Sequence, residues 1–228
     1  IATRVPGQRR GTIHPASLHR IRTNDDRVFS RKHEATNKDT AVSLVMDLSG
    51  SMTGSNKLQT AVEAAWAFGD VLNRINIKNE IIGFTTRDFP RVSHEVQREM
   101  EKFKASVGVQ VRAEPLTMPI FKSYDEKFTQ ETKKRLGTAA AGFGVETRNN
   151  VDGESIRIAG ARLAAQKEAR KVMIVFSDGQ PAAYSIMGSV QPDLKRAVKE
   201  VTAAGIETIG IGIMSNAVSQ YYPRSFVI

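Results

Sequence analysis

The chain has 228 residues and a formal net charge of +9, and it contains no cysteine. A chain of this length can bury a substantial core, and one α/β domain is the simplest prediction. The lack of cysteine excludes disulfides, thiolate zinc sites and cysteine nucleophiles, and it agrees with the cytoplasmic location that we expect. No apolar run approaches the roughly 20 residues of a membrane span, and no signal peptide is visible.

Residues 1–40 carry much of the positive charge, with nine lysines and arginines against four acidic residues. The segment is polar with scattered apolar residues, which predicts an irregular basic arm with one short helix. Such an arm can hold an acidic partner, but it is more often a solvated surface. Nucleic-acid binding is disfavoured because no groove-reading motif accompanies the charge. Since the first residue is Ile1 rather than Met, we expect an upstream region.

The first buried strand is predicted from Ala41 to Met46, an apolar run with little polar interruption. It is followed by D-x-S-x-S, which places Asp47, Ser49 and Ser51 on the loop that leaves the strand. Such a loop can aim all three side chains at one point in an open α/β sheet. One carboxylate and two hydroxyls suit Mg²⁺ or another hard divalent cation, which an acidic group of a partner would complete. The alternative is that Asp47 caps a helix and the serines are turn residues.

An amphipathic helix is predicted from Asn56 to Arg74, where apolar residues recur at three- and four-residue spacing. Its amino end lies beside the metal loop, so its dipole adds partial positive charge there. Trp66 in this helix is predicted to belong to the core. A second parallel strand, Glu80 to Thr85, follows. Thr85 and Thr86 at its end either support the metal site from behind or are ordinary strand formers.

Residues 87–137 are charged and less regular, and we interpret them as an insertion that forms partner surface. A helix is predicted over His94 to Ala105. The stretch from Val107 to Ile120 stays ambiguous because Pro115 and Pro119 interrupt it.

The second half begins with a predicted loop from Gly142 to Asn150, and D-G-E-S then opens a helix from Ser155 to Lys167. A buried strand from Lys171 to Phe176 ends in S-D-G. This places Asp178 at the carboxyl edge of the sheet, where Asp47 also lies. Two acidic strand ends can meet at one ion.

A last helix is predicted from Asp193 to Ala204, closed by Gly205, and a last strand from Gly205 to Met214. Gly210 and Gly212 in this strand should allow a neighbouring element to approach closely. The alternation of strands and helices predicts an α/β fold, a doubly wound and mainly parallel sheet flanked by helices, with right-handed crossovers.

The pattern of Asp47, Ser49 and Ser51, with Asp178 after a later strand, resembles the metal-ion-dependent adhesion site (MIDAS) of von Willebrand factor A (VWA) domains, which have a Rossmann-like fold. The resemblance implies a metal site at these residues. Where many such domains have G-G-T, this chain has D-G-E, so that Glu154 occupies the threonine position.

The departure affects the charge of the site. If Glu154 faces the ion, three carboxylates surround it and an acidic ligand from outside is less favoured. The alternative is that Glu154 complements the dipole at the start of its helix. Asp152 lies close by in sequence, and Thr147 is a weaker candidate for the missing hydroxyl.

Within the VWA group the chain is most similar to the carboxyl-terminal domain of the CobT-type subunit of aerobic cobaltochelatase. The similar stretches follow one another in the same order and spacing: D-T-A-V-S-L-V-M-D-L-S-G-S-M, E-I-I-G-F-T-T-R, V-D-G-E-S, V-M-I-V-F-S-D-G-Q-P and I-G-I-G-I with Y-Y-P-R. The resemblance implies a VWA domain over 41–228, and the charge pattern described above leaves a basic arm over 1–40.

The resemblance further implies an accessory, non-catalytic subunit in cobalamin biosynthesis. In the family such a subunit joins a AAA+ ATPase of the MoxR type in a hetero-oligomeric ring, and the two drive a large chelatase subunit that inserts Co²⁺ into a corrin ring. The metal site would dock an acidic residue of a partner. Two alternatives stay open, namely a MoxR-type partner with another client and a stand-alone adhesion or ligand-binding module.

An ATPase site of its own is not expected on this chain. The segment Gly50–Lys57, G-S-M-T-G-S-N-K, lacks G-K-[ST] at the spacing of a phosphate-binding loop. The four histidines show neither H-E-x-x-H spacing nor a Ser–His–Asp arrangement, and we expect them on the surface. Met46 and Met173 fall inside strands and are predicted core residues.

Overall fold

The structure is a computed structural model. It describes residues 3–33, 39–87, 114–142, 146–179, 181–183 and 190–228, with Glu95, Arg98, Glu99 and Lys102 between them. The chain divides into two compact units, Ile1–Lys38 and Asp39–Ile228.

The first unit is a small antiparallel sheet with one 3₁₀ helix. Its strands are β1 (Thr3–Gln8), β2 (Thr12–Ile13) and β3 (Phe29–His33), in the order β1-β3-β2, and the helix is Pro15–Thr23. The predicted irregular arm is therefore wrong for these residues, although the predicted short helix is present. Backbone pairing organises the segment, and pairing between short polar strands leaves little hydrophobic periodicity to detect.

The second unit is built on a seven-stranded, mainly parallel sheet in the order β10-β9-β8-β4-β5-β6, with β7 also paired to β5. The strands are β4 (Thr40–Asp47), β5 (Lys78–Thr86), β6 (Leu116–Thr117), β7 (Ile120–Lys122), β8 (Arg170–Ser177), β9 (Ile206–Gly212) and β10 (Arg224–Val227). The helices are α1 (Lys57–Arg74), α2 (Gln130–Ala140), α3 (Asp152–Ala164) and α4 (Gln191–Ala203). Only β6 and β7 run antiparallel to their neighbour β5 among these described strands.

The core consists of two apolar clusters that share the central strand β4. Val42, Leu44 and Met46 belong to one cluster, together with buried residues of α1 and α2. Ala41 and Val45 belong to the other, together with buried residues of α3 and α4. Since successive side chains of a strand point to opposite faces, helices cover both faces of the sheet. This is the predicted doubly wound α/β architecture, and it explains the apolar run in β4.

Trp66 corrects one prediction, because its side chain is 42% exposed rather than part of the core. The buried positions of α1 include Leu58, Ala61, Val62 and Ala65, so Trp66 falls on the outer face of the helix. There the ammonium of Lys133 lies 5.4 Å from the ring centroid. Met46 and Met173 are fully buried, as predicted.

Part of the segment that we interpret as an insertion, residues 87–137, belongs to the central fold. Strands β6 and β7 pair with β5, and α2 contributes Leu136 and Ala139 to the core cluster shared with α1. The helix predicted over His94 to Ala105 lies outside the described residues except at four positions, as does the stretch before Glu114.

Strand β10 extends the sheet beyond the last predicted strand. It pairs in parallel with β9, and Tyr222, just before it, packs against Gly210, where an added Cβ would lie 2.5 Å from the ring. The predicted close approach at this glycine is confirmed. No helix in the described part of the chain is long and apolar enough to cross a membrane.

Candidate metal centre

Asp47 ends β4 and is completely buried. Its Oδ1 accepts the backbone N–H of Ser49 at 2.9 Å. Its Oδ2 accepts the hydroxyl of Ser177 at 2.8 Å and the side-chain amide of Asn150 at 3.3 Å. Burial raises the pKa of Asp47 to about 6, against the opposing effect of the hydrogen bonds from Ser49 and Ser177, and the carboxylate of Asp178 adds to the rise. The carboxylate is thus positioned by three different segments of the chain.

Ser49 and Ser51 follow Asp47 on the metal loop, and Ser49 is buried whereas Ser51 is exposed. Their hydroxyl oxygens lie 3.1 Å apart, and both residues line an open cleft of about 570 Å³. The other residues that line it are Gly50, Arg148, Asn149, Asn150, Gly179, Pro181, Ala182, Gln191, Ala217, Gln220 and Tyr221. Asp47 has no exposed surface and does not line the cleft, so its carboxylate lies deeper than the two serines.

Two further buried carboxylates lie near Asp47. Asp152 opens α3 at 2% exposure, and within the described part of the chain its Oδ2 has no hydrogen-bond partner. Burial raises the pKa of Asp152 well above its ordinary value, and the nearby Asp47 and Asp178 carboxylates raise it further. Asp178 is 3% exposed, and its Oδ2 accepts a hydrogen bond from the Lys57 ammonium at 3.1 Å. Three buried carboxyl groups therefore lie close together at this edge of the sheet, where a cation would favour their ionised forms.

The loop before α3 is fastened to β5 by the two predicted threonines. The hydroxyl of Thr85 accepts the backbone N–H of Arg148, and that of Thr86 accepts the backbone N–H of Asn149, each at 3.1 Å. The carbonyl of Arg148 in turn accepts the N–H of Gly50 at 2.6 Å. Both threonines are completely buried, and their hydroxyls hold the loop against the metal loop.

Asn150 joins this loop to the one after β8. Its backbone N–H donates to the carbonyl of Ala182, and its Oδ1 accepts the N–H of Ala182, both at 2.9 Å. Gly179 turns the chain after β8 with φ of +75°, and a Cβ there would lie 2.6 Å from the backbone nitrogen of Val218. A left-handed backbone at such a close approach requires glycine. Three loops therefore converge at one edge of the sheet.

The structure brings together Asp47, Ser49, Ser51 and Asp178, with Asp152 beside them. Glu154 is half-buried in the first turn of α3 and is not among the residues that line the cleft. Within the described residues, no three acidic or histidine side chains form a group that could hold a metal by themselves. The assignment of Glu154 as a ligand stays a prediction that this arrangement does not support.

Thr147 is half-buried in the loop before α3. Its carbonyl oxygen would lie 3.6 Å from a Cβ added at Gly50, so the residue borders the metal loop through its backbone. Its role as a source of the missing hydroxyl also stays a prediction.

Sequence reasoning missed three residues that contact the buried carboxylates. Ser177 carried a usable signal, because it stands at the end of a buried strand directly before Asp178. Asn150 and Lys57 carried none, since their partners Asp47 and Asp178 lie 103 and 121 residues away in the sequence.

The donor atoms fit a hard divalent cation. Hydroxyl and carboxylate oxygens are the ligands that Mg²⁺ prefers. A buried carboxylate oxygen without a partner, at Asp152, is costly unless a positive charge compensates it. A cation at the cleft wall would relieve the repulsion among Asp47, Asp152 and Asp178.

Solved structures share the fold of this chain. The D319A mutant of the PilB minor pilin from Streptococcus sanguinis aligns with a TM-score of 0.53 at 12% identity, over 83% of this chain and 57% of that chain. Proximal thread matrix protein 1 from the mussel byssus aligns with a TM-score of 0.52 at 12% identity, over 83% of this chain and 43% of that chain. At these identities the likeness shows the fold alone.

Sequence comparisons give one curated relative and one family model that match most of the chain. The uncharacterized protein YojO of Bacillus subtilis (strain 168) is 24% identical over 211 residues, which cover 92% of this chain but 29% of YojO. The chain therefore spans less than a third of the length of this curated relative. The model of the family described as the cobalamin biosynthesis protein CobT VWA domain matches residues 28–228. The chain thus belongs to the CobT VWA domain family.

Proposed function

We propose that this chain is an accessory, non-catalytic docking domain that binds Mg²⁺, or another hard divalent cation, and uses it to capture an acidic side chain of a partner protein. One observation carries the proposal. The buried carboxyl groups of Asp47, Asp152 and Asp178 lie close together, and the serines that follow Asp47 on the metal loop, Ser49 and Ser51, line a cleft.

The serine hydroxyls would hold the ion directly, and Asp47 would act from behind them. When bound, the ion supplies a positive charge at the cleft wall that a carboxylate from outside can approach. Asp47 keeps its place through the Ser177 and Asn150 hydrogen bonds, so the site is organised before a partner arrives. A cleft of about 570 Å³ admits a side chain with some of its neighbouring peptide.

The lining of the cleft supports a docking role over a catalytic one. Its described residues include no histidine, carboxylate or lysine that could act as a general base. The hydroxyls of Ser49 and Ser51 contact each other at 3.1 Å. Chemistry by activated serine needs a base within hydrogen-bond reach, whereas metal-mediated docking needs only the oxygen donors.

Membership of the CobT VWA family supports a partner assembly of the cobaltochelatase kind. In that assembly the domain would dock to a AAA+ ATPase subunit, and the two would act on a large subunit that inserts Co²⁺ into a corrin ring. Co²⁺ is there the cargo of the large subunit, and the cation of the present site is a separate ion.

The test is Mg²⁺-dependent assembly of the tagged full-length protein in its native host. Ser51→Ala removes an exposed hydroxyl with little effect on folding, and Asp47→Ala removes the buried carboxylate. With Mg²⁺ and ATP present, the amount of AAA+ subunit that co-purifies with each variant should be at least tenfold lower than with the wild type. The reason is that each variant removes a group that holds the ion.

Asp125→Ala is the matched control, since its side chain is 93% exposed, and its assembly should equal that of the wild type. Circular dichroism checks that each variant is folded. Unchanged assembly in Ser51→Ala and Asp47→Ala would remove the metal from the docking step. If no AAA+ subunit co-purifies under any condition, the assignment to a AAA+ assembly fails.

A further inference from the structure

Lys57 occupies a position that the helix itself disfavours. It is the first residue of α1, and the first turn of α1 contains no acidic residue. The amino end of a helix carries partial positive charge and favours acidic side chains over basic ones. The unfavourable interaction of Lys57 with the helix dipole must therefore be offset by a contact outside α1.

That contact is made by Asp178, which follows β8 and forms an ion pair with Lys57. The Lys57 ammonium lies 3.1 Å from Oδ2 of Asp178, and the two side chains are 24% and 4% exposed. At this burial the pair is shielded from solvent far better than a surface salt bridge, so its charges influence their surroundings more strongly.

Lys57 also changes the charge that an incoming cation meets. Asp47, Asp152 and Asp178 are each at most 3% exposed, and Lys57 offsets the charge of the last of them. Without Lys57 the site would be more negative. With it, the hydroxyl-lined wall attracts a divalent cation less strongly, and a cation bound there keeps more of its positive charge unbalanced.

We propose that Lys57 sets the charge balance of the candidate metal site. By pairing with Asp178 it weakens the binding of the divalent cation, and it leaves the bound cation in need of a carboxylate from a partner. Lys57 thus increases the affinity of the bound cation for a carboxylate from a partner protein. The inference rests on the proposed function, because it assumes a cation at Ser49 and Ser51.

A purely structural role for Lys57 makes the opposite prediction. If the lysine only holds Asp178 in place, its loss should disorder Asp178 and weaken cation binding. If its charge matters, its loss should strengthen cation binding. The sign of the change in metal affinity therefore separates the two roles.

The experiment measures Mn²⁺ binding to the full chain at pH 7.5 by the electron paramagnetic resonance signal of free Mn²⁺. Lys57→Met keeps the apolar stem and removes the charge, and it should bind Mn²⁺ at least tenfold more tightly than the wild type. Lys57→Arg keeps the charge and should stay within twofold. Lys199→Met removes an exposed charge on α4 and should also stay within twofold.

A second readout tests the preference for an external acid. Acetate is titrated into the Mn²⁺-loaded proteins, and displacement of metal-bound water is followed by proton relaxation. Acetate should bind at least threefold more weakly to Lys57→Met than to the wild type, because the Lys57 charge no longer offsets that of Asp178.

The outcomes separate the two proposals. Wild-type Mn²⁺ binding that is lost in Ser51→Ala, with equal or weaker binding in Lys57→Met, overturns the role of Lys57 and leaves the metal site standing. Tighter binding in Lys57→Met with unchanged acetate affinity overturns the tuning for external acids. If neither the wild type nor Lys57→Met binds Mn²⁺, both proposals fail.

Discussion

At the scale of single residues, the candidate site depends on a carboxylate that the fold withdraws from water. Asp47 is completely buried, and donors from Ser49, Asn150 and Ser177 surround it. Removing a charge from water is expensive even with hydrogen bonds in place. In the absence of a cation, the folded protein therefore favours the protonated form of this group more than the unfolded chain does.

The pH dependence of stability follows from the pKa of Asp47, which burial raises to about 6 from an ordinary value of 3.8. Since the pKa is higher in the folded state, the folded protein binds more protons between these values. The contribution of Asp47 to stability is present below about pH 4 and is lost as the pH rises through about 6.

The free energies of unfolding of the wild type and of Asp47→Asn are measured by urea unfolding from pH 4 to pH 7, with a chelator present to remove metal ions. The free energy of unfolding of the wild type should fall by about 2 kcal/mol relative to that of the variant over this range, because each unit of pKa shift corresponds to about 1.4 kcal/mol and part of the effect is already lost at pH 4. The pKa of Asp152 is also raised, mainly by its own burial, and that contribution is present in both proteins. Parallel profiles would show that Asp47 does not carry the effect.

At the scale of secondary structure elements, one ion pair fastens α3 to the sheet. Glu80 on β5 is completely buried, and its carboxylate accepts the Nε of Arg162 on α3 at 3.1 Å and its Nη2 at 2.5 Å. Arg170 and Glu207 form a similar pair between β8 and β9, but their side chains are 61% and 42% exposed. Burial of the acid should decide how much each pair matters.

Arg162→Met should lower the free energy of unfolding by about 3 kcal/mol, because it leaves the Glu80 carboxylate buried without its partner. Arg170→Met is the matched control and should cost less than about 1 kcal/mol, as exposed ion pairs do. Both values come from urea unfolding at neutral pH. Equal losses in the two variants would mean that burial of the acid does not set the cost.

At the scale of the whole molecule, the two units differ in the core that they contain. Both apolar clusters are formed by residues of the second unit, 39–228. In the described part of the first unit, the buried residues are Ser17, Val28 and Ser30. A segment of fewer than about 40 residues with so small a core rarely folds alone.

A fragment of residues 39–228 should therefore fold by itself, while a fragment of residues 1–38 should not. The first should show the far-ultraviolet circular dichroism of an α/β protein and unfold in one cooperative transition in urea. It should also bind Mn²⁺ as the full chain does, since Asp47, Ser49 and Ser51 lie within it. A fragment 39–228 without cooperative unfolding would show that residues 1–38 complete its core.

The sequence by itself determined the central sheet, and it predicted the principal residues of the candidate site. The apolar runs of β4 and β8 predicted strands buried on both faces, because such strands cannot show polar alternation. D-x-S-x-S directly after the first of them, and an aspartate after the other, predicted which side chains meet at one edge of the sheet. These features are local, since burial and turns leave their mark on consecutive residues.

Only the tertiary structure decided which distant residues surround that site. Lys57, Asn150 and Ser177 contact their carboxylates across 103 to 130 residues of chain, and such contacts depend on the order of strands in the sheet. The pairing of β1 with β3 and the exposed position of Trp66 were likewise settled by packing. Hydrophobic periodicity predicts which residues are buried on average. The residues that they contact depend on how the strands and helices are arranged in the fold.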